Sequence, residues 1–131
     1  MIGFQTQMRR LVICTTCKFS ETSKLGPDGR SGGEMMVDAV QEVLTKIGRS
    51  DIVVQPQACL WNCSKPCSVV LQDEDRFSYI TGSNTPDEEQ AEALIAWFDA
   101  HGATEDGQVP FKLWPQKMRG HFIARIPPVK A

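Results

Sequence analysis

The five cysteines of this chain lie in two short clusters and nowhere else. The first cluster is a C-x2-C motif formed by Cys14 and Cys17, and the second is a C-x3-C-x3-C motif formed by Cys59, Cys63 and Cys67. Cysteines that only fill space in a core would not bunch in this way. Thiolates from two separate loops can converge on one metal centre. The fold is therefore expected to bring the two clusters to the same place.

Length and composition predict one domain that folds without help from its cysteines. The chain has 131 residues, of which 41% are hydrophobic, so it can bury an ordinary core without a metal or disulfides. We expect a single domain with a core over about residues 9–102 and a C-terminal extension over about 103–131.

The net charge, the lack of a long apolar run and the first ten residues together predict a cytoplasmic protein. The net charge is −2, which gives no reason to expect nucleic-acid binding. No apolar run approaches the roughly 20 residues of a membrane span, and residues 1–10 lack a secretory signal. In a reducing compartment, an odd number of clustered cysteines points to metal ligands or redox-active thiols rather than structural disulfides.

The apolar periodicity predicts four strands and two helices. Short apolar runs indicate strands, and a helical repeat from Met36 to Ile47 indicates the first helix, with Gly48 as its stop. Thr85 is the expected N-cap of the second helix, with Pro86 at its first position. The predicted strands are 9–14, 52–54, 68–72 and 77–81. The second helix runs to Gly102, and one short helix is expected near 115–122 of the tail.

The resulting order, βαβ followed by ββα, is that of a thioredoxin-like α/β domain. We expect a central mixed sheet of about four strands with flanking helices and a C-terminal tail. The first two strands are joined through a helix, so they are expected to be parallel with a right-handed crossover. Their exits then lie at the same edge of the sheet, so that residues 14–17 and 59–67 face each other.

The chemistry of the two motifs leaves three hypotheses. Four thiolates hold either a 2Fe-2S cluster or a tetrahedral zinc ion. The wide C-x3-C spacing is less typical of zinc knuckles and favours iron–sulfur, with structural or metal-handling zinc as the alternative. A thiol oxidoreductase at Cys14 and Cys17 would need a helix N-terminus beside the thiols, and the first predicted helix starts well downstream.

Three stretches of the sequence resemble a known family. The segments Cys59–Leu71, Leu11–Cys17 and Ala124–Pro128 resemble a small bacterial family of predicted metal-binding proteins related to thioredoxin-like 2Fe-2S ferredoxins. The resemblance extends from about Leu11 to Pro128. It implies a one-electron carrier without catalytic activity of its own, a redox partner protein and a possible homodimer. A link to cobalamin metabolism is a further implication.

The sequence departs from those ferredoxins in two ways: the second ligand is missing from its usual place, and Cys67 is a fifth thiol near the start of a strand. Their second cysteine lies near the start of the first helix, where this chain has no cysteine between Arg30 and Gly33. Five thiols remain for four positions. The preferred set is Cys14, Cys17, Cys59 and Cys63, with Cys67 beside the cluster or as an alternate ligand. Replacement of Cys17 by Cys67 is the next choice.

The two histidines are not predicted ligands. A Rieske-type centre needs two histidines beside two cysteines, whereas His101 and His121 are far from either cluster in sequence. His101 is expected at a helix C-terminus, where its positive form is favourable.

Charge is unevenly distributed along the second half of the chain. Residues 73–106 contain ten acidic residues and one basic residue, whereas residues 110–131 contain five basic residues and no acidic one. The acidic segment is either an ordinary solvated surface or a docking face for the redox partner.

Overall fold

The computed structural model describes residues 8–20, 22–60 and 67–129, and these ranges form one five-stranded sheet with two long helices. Cys63 lies outside the described residues. Within them, no helix is long and apolar enough to cross a membrane. The elements are β1 (Arg9–Cys14), α1 (Gly32–Lys46), β2 (Val53–Gln57), β3 (Val69–Asp73), β4 (Ser78–Thr81), α2 (Glu88–Gly102) and β5 (Phe122–Ile126).

The sheet has the order β2-β1-β3-β4-β5 and is mixed. β1 and β2 are parallel, as predicted, and every other neighbouring pair is antiparallel. β1 has the predicted bounds. β2 begins one residue late and continues through Pro56, because an edge strand can spare the hydrogen bond that proline lacks.

The first helix begins earlier than the apolar repeat predicts. Ser31 is the N-cap, and its hydroxyl accepts from the N–H of Glu34, whose carboxylate accepts from the Ser31 N–H. This capping box starts the helix at Gly32, inside the stretch that the sequence assigns to a loop. Two adjacent glycines disfavour helix on propensity, which is why the apolar pattern alone predicts a later start.

The second helix begins later than predicted, at Glu88. Asp87 is the N-cap, because its backbone is extended and its carboxylate accepts the N–H of Gln90. Thr85, the predicted cap, instead donates its N–H and hydroxyl to the side-chain oxygen of Gln90.

The C-terminal segment that the sequence predicts as a tail contains a fifth strand. Two single 3-10 turns, Phe111–Leu113 and Gln116–Met118, replace the short helix expected near 115–122. β5 then pairs with β4, and the ring of Phe122 lies 5.7 Å from that of Tyr79. The sheet therefore has five strands rather than about four, because the C-terminal segment completes the aromatic core.

The main core lies between the helices and one face of the sheet. Leu11, Leu71 and Tyr79 occupy neighbouring strands in register and are fully buried. Trp97 of α2 meets the Tyr79 ring edge to face at 5.1 Å. This apolar cluster is separate from the one that contains the cysteines.

Candidate metal centre

The two cysteine loops meet at one edge of the sheet, as the topology predicts. Ile13 pairs with Val69 across β1 and β3, so the end of β1 and the start of β3 coincide. The Cys14 N–H donates to the Ser68 carbonyl at 3.1 Å. Cys14, Cys17 and Cys67 are 3%, 5% and 1% exposed, and they form one buried cluster with Leu60 against it.

Each buried sulfur has polar neighbours from the loops. The Ser68 N–H donates to the Cys17 sulfur at 3.5 Å, and the Cys67 thiol donates to the Lys18 carbonyl at 3.6 Å. The sulfur of Cys14 lies 3.7 Å from the Thr16 hydroxyl. The site thus supplies sulfur atoms of the kind that ligate metals, together with hydrogen bonds that stabilise these sulfurs.

The three thiols differ in how readily they ionise. Burial raises the pKa of Cys67 to about 12, helped by repulsion from Cys17 and Cys14. Burial and the interaction with Cys14 likewise raise the pKa of Cys17 to about 12. Burial alone would raise the pKa of Cys14, but hydrogen bonds from the Cys17 thiol, the Thr16 hydroxyl and the N–H groups of Leu60 and Thr16 hold it below its usual value. Cys14 is therefore the most readily ionised of the three thiols, and metal binding would displace the protons that the thiols carry.

The second loop is tied to the first through its backbone. The N–H of Thr15 donates to the Gln57 carbonyl at 2.8 Å, and the Thr16 hydroxyl donates to the Ala58 carbonyl. Cys59 follows directly and is exposed. Among the described residues, no three histidine, cysteine or acidic side chains are arranged to hold a metal ion.

Sequence reasoning missed the contact between α1 and the first cysteine loop. The Gly33 N–H donates to the Cys17 carbonyl at 3.2 Å, and the Ser31 hydroxyl donates to the Thr15 carbonyl at 2.6 Å. A Cβ on Gly33 would overlap the carbonyl oxygen of Cys14. The expectation of a helix far from the thiols is therefore wrong: the positive end of α1 abuts the loop. A serine three residues before a glutamate, with two glycines between them, was the available signal.

Neither histidine takes part in the cysteine cluster. His101 is fully buried among Arg9, Phe77 and Phe98. Burial lowers the pKa of His101. The prediction that His101 is positively charged at the helix C-terminus is therefore wrong. The Nδ1 atom of His121 lies 3.1 Å from the Gly82 carbonyl oxygen.

The acidic segment is partly neutralised by ion pairs. Exposed carboxylates of α2 pair with three basic side chains, in the pairs Glu88–Lys46, Glu89–Lys117 and Asp99–Arg49. Asp73 is buried and pairs with Arg9 at 2.8 Å and Arg76 at 3.0 Å. The docking role of this surface stays a prediction.

Comparison with known proteins supports the fold class and the family. The structure is similar to that of a thioredoxin-like [2Fe-2S] ferredoxin from Aquifex aeolicus, with 15% sequence identity, 96% of this chain and 100% of that chain covered, and a TM-score of 0.53. The predicted thioredoxin-like α/β fold is thereby confirmed. No curated protein matches the sequence. A family model described as protein of unknown function (DUF1636) matches residues 11–128, and the chain therefore belongs to this family.

Proposed function

We propose that this protein binds one 2Fe-2S cluster through its cysteines and carries single electrons to a redox enzyme. The observation that supports the proposal is the buried cluster of Cys14, Cys17 and Cys67, assembled from two loops at one edge of the sheet.

The donor set suits the cluster. Iron–sulfur clusters are held by four cysteine thiolates, and the loop after β2 adds Cys59 and Cys63 to the three buried thiols. On this proposal the three buried cysteines supply three thiolates, and the loop of residues 59–63 supplies the fourth. Binding the cluster then requires the sulfurs to shift, since no three described side chains are already arranged to hold a metal ion. When bound, the cluster accepts and releases one electron.

The surroundings of the thiols favour negative charge. N–H groups of Ser68 and Leu60 point at the sulfurs of Cys17 and Cys14. The N-terminus of α1, which carries a partial positive charge, contacts the same loop through Gly33. Such donors stabilise the reduced state of a bound cluster and raise its reduction potential.

The cysteine edge is close to the protein surface. Thr16, Lys18 and Cys59 are exposed beside the buried sulfurs. A partner that docks here would come near the cluster without rearrangement of the core. The absence of catalytic activity, the cobalamin link, the homodimer and the cytoplasmic location rest on the sequence alone and stay predictions.

Metal and acid-labile sulfide analysis of protein purified without oxygen tests the proposal. We expect iron and sulfide in equal amounts, near two of each per chain, with a visible spectrum that bleaches on reduction. Zinc without sulfide or colour would replace the electron carrier with the zinc-binding alternative. Protein without either metal would refute both.

A further inference from the structure

Cys67 has an unusual backbone conformation. Its φ angle is +58°, and in the described ranges only Ser83 shares a positive φ among residues other than glycine. Side chains with a Cβ rarely adopt this left-handed region, because the Cβ crowds the following carbonyl. Something in the surrounding structure must hold Cys67 there.

Asn84 provides the restraint. Its Nδ2 donates to the Cys67 carbonyl oxygen at 2.8 Å and to the Thr81 hydroxyl at 3.0 Å. The Thr81 hydroxyl in turn donates to the Val69 carbonyl at 2.7 Å, so it can only accept from Asn84. The orientation of the amide is fixed by this chain of donors.

The amide stays in place although one of its atoms is unsatisfied. Asn84 is 4% exposed, and its Oδ1 has no hydrogen-bond partner among the described residues. A buried, unpaired oxygen is costly. An apolar side chain would fill the same space without that cost, so the contribution of Asn84 lies in the bonds that Nδ2 donates.

The bond from Asn84 acts on a peptide group that also contacts a second cysteine. The peptide between Cys67 and Ser68 is trans, so its C=O and N–H point in opposite directions. Asn84 binds the C=O, and the N–H donates to the sulfur of Cys17 at 3.5 Å. Rotating this peptide would remove both interactions at once.

We propose that Asn84 is a positioning residue, which orients the Cys67–Ser68 peptide so that its N–H binds the Cys17 sulfur and the Cys67 thiol stays buried beside it. As a statement about the cluster, the inference rests on the proposed function. Loss of Asn84 would remove the Ser68 N–H from the Cys17 sulfur, which also receives a backbone hydrogen bond from Cys67, and would lower the reduction potential of a bound cluster. In metal-free protein, the same loss would open the buried thiols to solvent.

The Asn84→Asp variant tests the proposal, with Gln90→Glu as its matched control. Both substitutions turn a buried amide, 4% exposed in each case, into a carboxyl group, but Gln90 contacts Lys117, Thr85 and Met118 rather than a cysteine. Asn84→Ser, which keeps a donor, is the partial rescue. Reduction potential is measured on loaded protein, and the alkylation rate of each cysteine is measured by mass spectrometry on metal-free protein.

We expect Asn84→Asp to have a more negative potential than wild type and Gln90→Glu. We also expect Cys67 and Cys17 to be alkylated about tenfold faster in Asn84→Asp, the factor that one net hydrogen bond represents, with Cys59 unchanged. Equal rates and potentials in the two carboxyl variants would overturn the proposal. If Asn84→Asp does not fold, Thr81→Val, which removes the second acceptor of the amide, is measured against the same expectations.

The two proposals fail separately. A wild-type protein without iron and sulfide refutes the proposed function, and the alkylation rates then decide the role of Asn84 alone. A loaded wild type with an unchanged Asn84→Asp variant refutes only the positioning role.

Discussion

Gly33 illustrates how a single residue fixes the distance between α1 and the cysteine loop. Its Cβ position is occupied by the carbonyl oxygen of Cys14. In an open helix, replacing glycine with alanine stabilises by up to about 1 kcal/mol. At Gly33 we expect the opposite sign: Gly33→Ala destabilises by roughly 1–3 kcal/mol, the usual cost of overpacking. Urea unfolding under reducing conditions measures the change.

Gly48→Ala provides the control for that prediction. Gly48 has a φ angle of +70° but open space around its Cβ position, so the variant reports backbone strain without a clash. We expect its free energy of unfolding to fall by roughly 1–2 kcal/mol, the cost of the left-handed region for a residue with a Cβ, with unchanged metal content. A Gly33→Ala protein as stable as wild type would contradict the close contact.

The burial of Cys67 changes the expected outcome of cysteine substitution. The sequence predicts that Cys67 lies beside the cluster or serves as an alternate ligand, and on that basis its loss is expected to be milder than that of the other cysteines. Because its thiol packs against Cys14 and Cys17, we expect Cys67→Ser to lose the cluster as completely as Cys14→Ser. Iron content and the visible spectrum measure this, and far-UV circular dichroism confirms that the variants are folded. A Cys67→Ser protein with full iron content would restore the set of Cys14, Cys17, Cys59 and Cys63.

At the scale of elements, the end of α2 and the start of β1 are joined by a buried charge network. Arg9 donates to the Asp73 carboxylate, the Phe98 carbonyl and His101 Nδ1. Because arginine only donates, Nδ1 accepts, and the Nε2–H of His101 donates to the Phe77 carbonyl at 2.6 Å. His101 is therefore held neutral, facing the charged groups Arg9, Asp73 and Arg76.

This network predicts a loss of stability in mild acid. Burial lowers the pKa of His101 below its unfolded value of about 6.5. Between the folded and unfolded pKa values the unfolded chain binds the extra proton, so the free energy of unfolding falls as pH drops below about 6.5. His101→Gln keeps a donor for Phe77 and removes the titration. We expect the free energy of unfolding, measured with urea, to differ less between pH 7.5 and pH 5.5 for this variant than for wild type.

A control variant, His121→Gln, and the pH range in which Asp73 titrates distinguish the titration of His101 from other causes of pH dependence. The control His121→Gln should keep the wild-type difference between the two pH values. Burial alone would raise the pKa of Asp73, but hydrogen bonds from Arg9 and Arg76 hold it below its usual value. The stability that ionised Asp73 contributes to the folded state is therefore lost only as pH falls below about 3.9. That pH lies outside the tested range. An unchanged pH dependence in His101→Gln would contradict the neutral, buried histidine.

The elements that sequence patterns predict well are those with local signals. The apolar run before Cys14 defines β1 with the correct bounds, because a buried strand needs continuous apolar residues. The start of α1 was missed, since Gly32 and Gly33 are there for contact with another loop rather than for helix propensity. β5 was missed because Phe122 is partly buried by distant aromatic rings, which no local pattern shows.

At the scale of the whole molecule, the site was predictable as far as connectivity determines it. A parallel β1–β2 pair followed by an antiparallel β3 brings both cysteine motifs to one edge whatever the side chains between them. The division of the four described cysteines into three buried thiols and an exposed Cys59 was not predictable. It depends on the φ angle of Cys67 and on Asn84, seventeen residues away in sequence.

The separation of the two apolar clusters predicts that the fold survives loss of the cluster. Among the described residues, the core around Trp97, Tyr79 and Leu11 contains no cysteine, so metal-free protein should keep the far-UV circular dichroism of the loaded form. Binding to the folded state alone still stabilises it. We expect chelation to lower the melting temperature, by roughly 2–8 °C for each kcal/mol of binding lost. Cys67→Ser should melt near metal-free wild type and show no further shift with chelator. Unfolding on chelation would mean that the cysteine edge, rather than the aromatic core, holds the domain together.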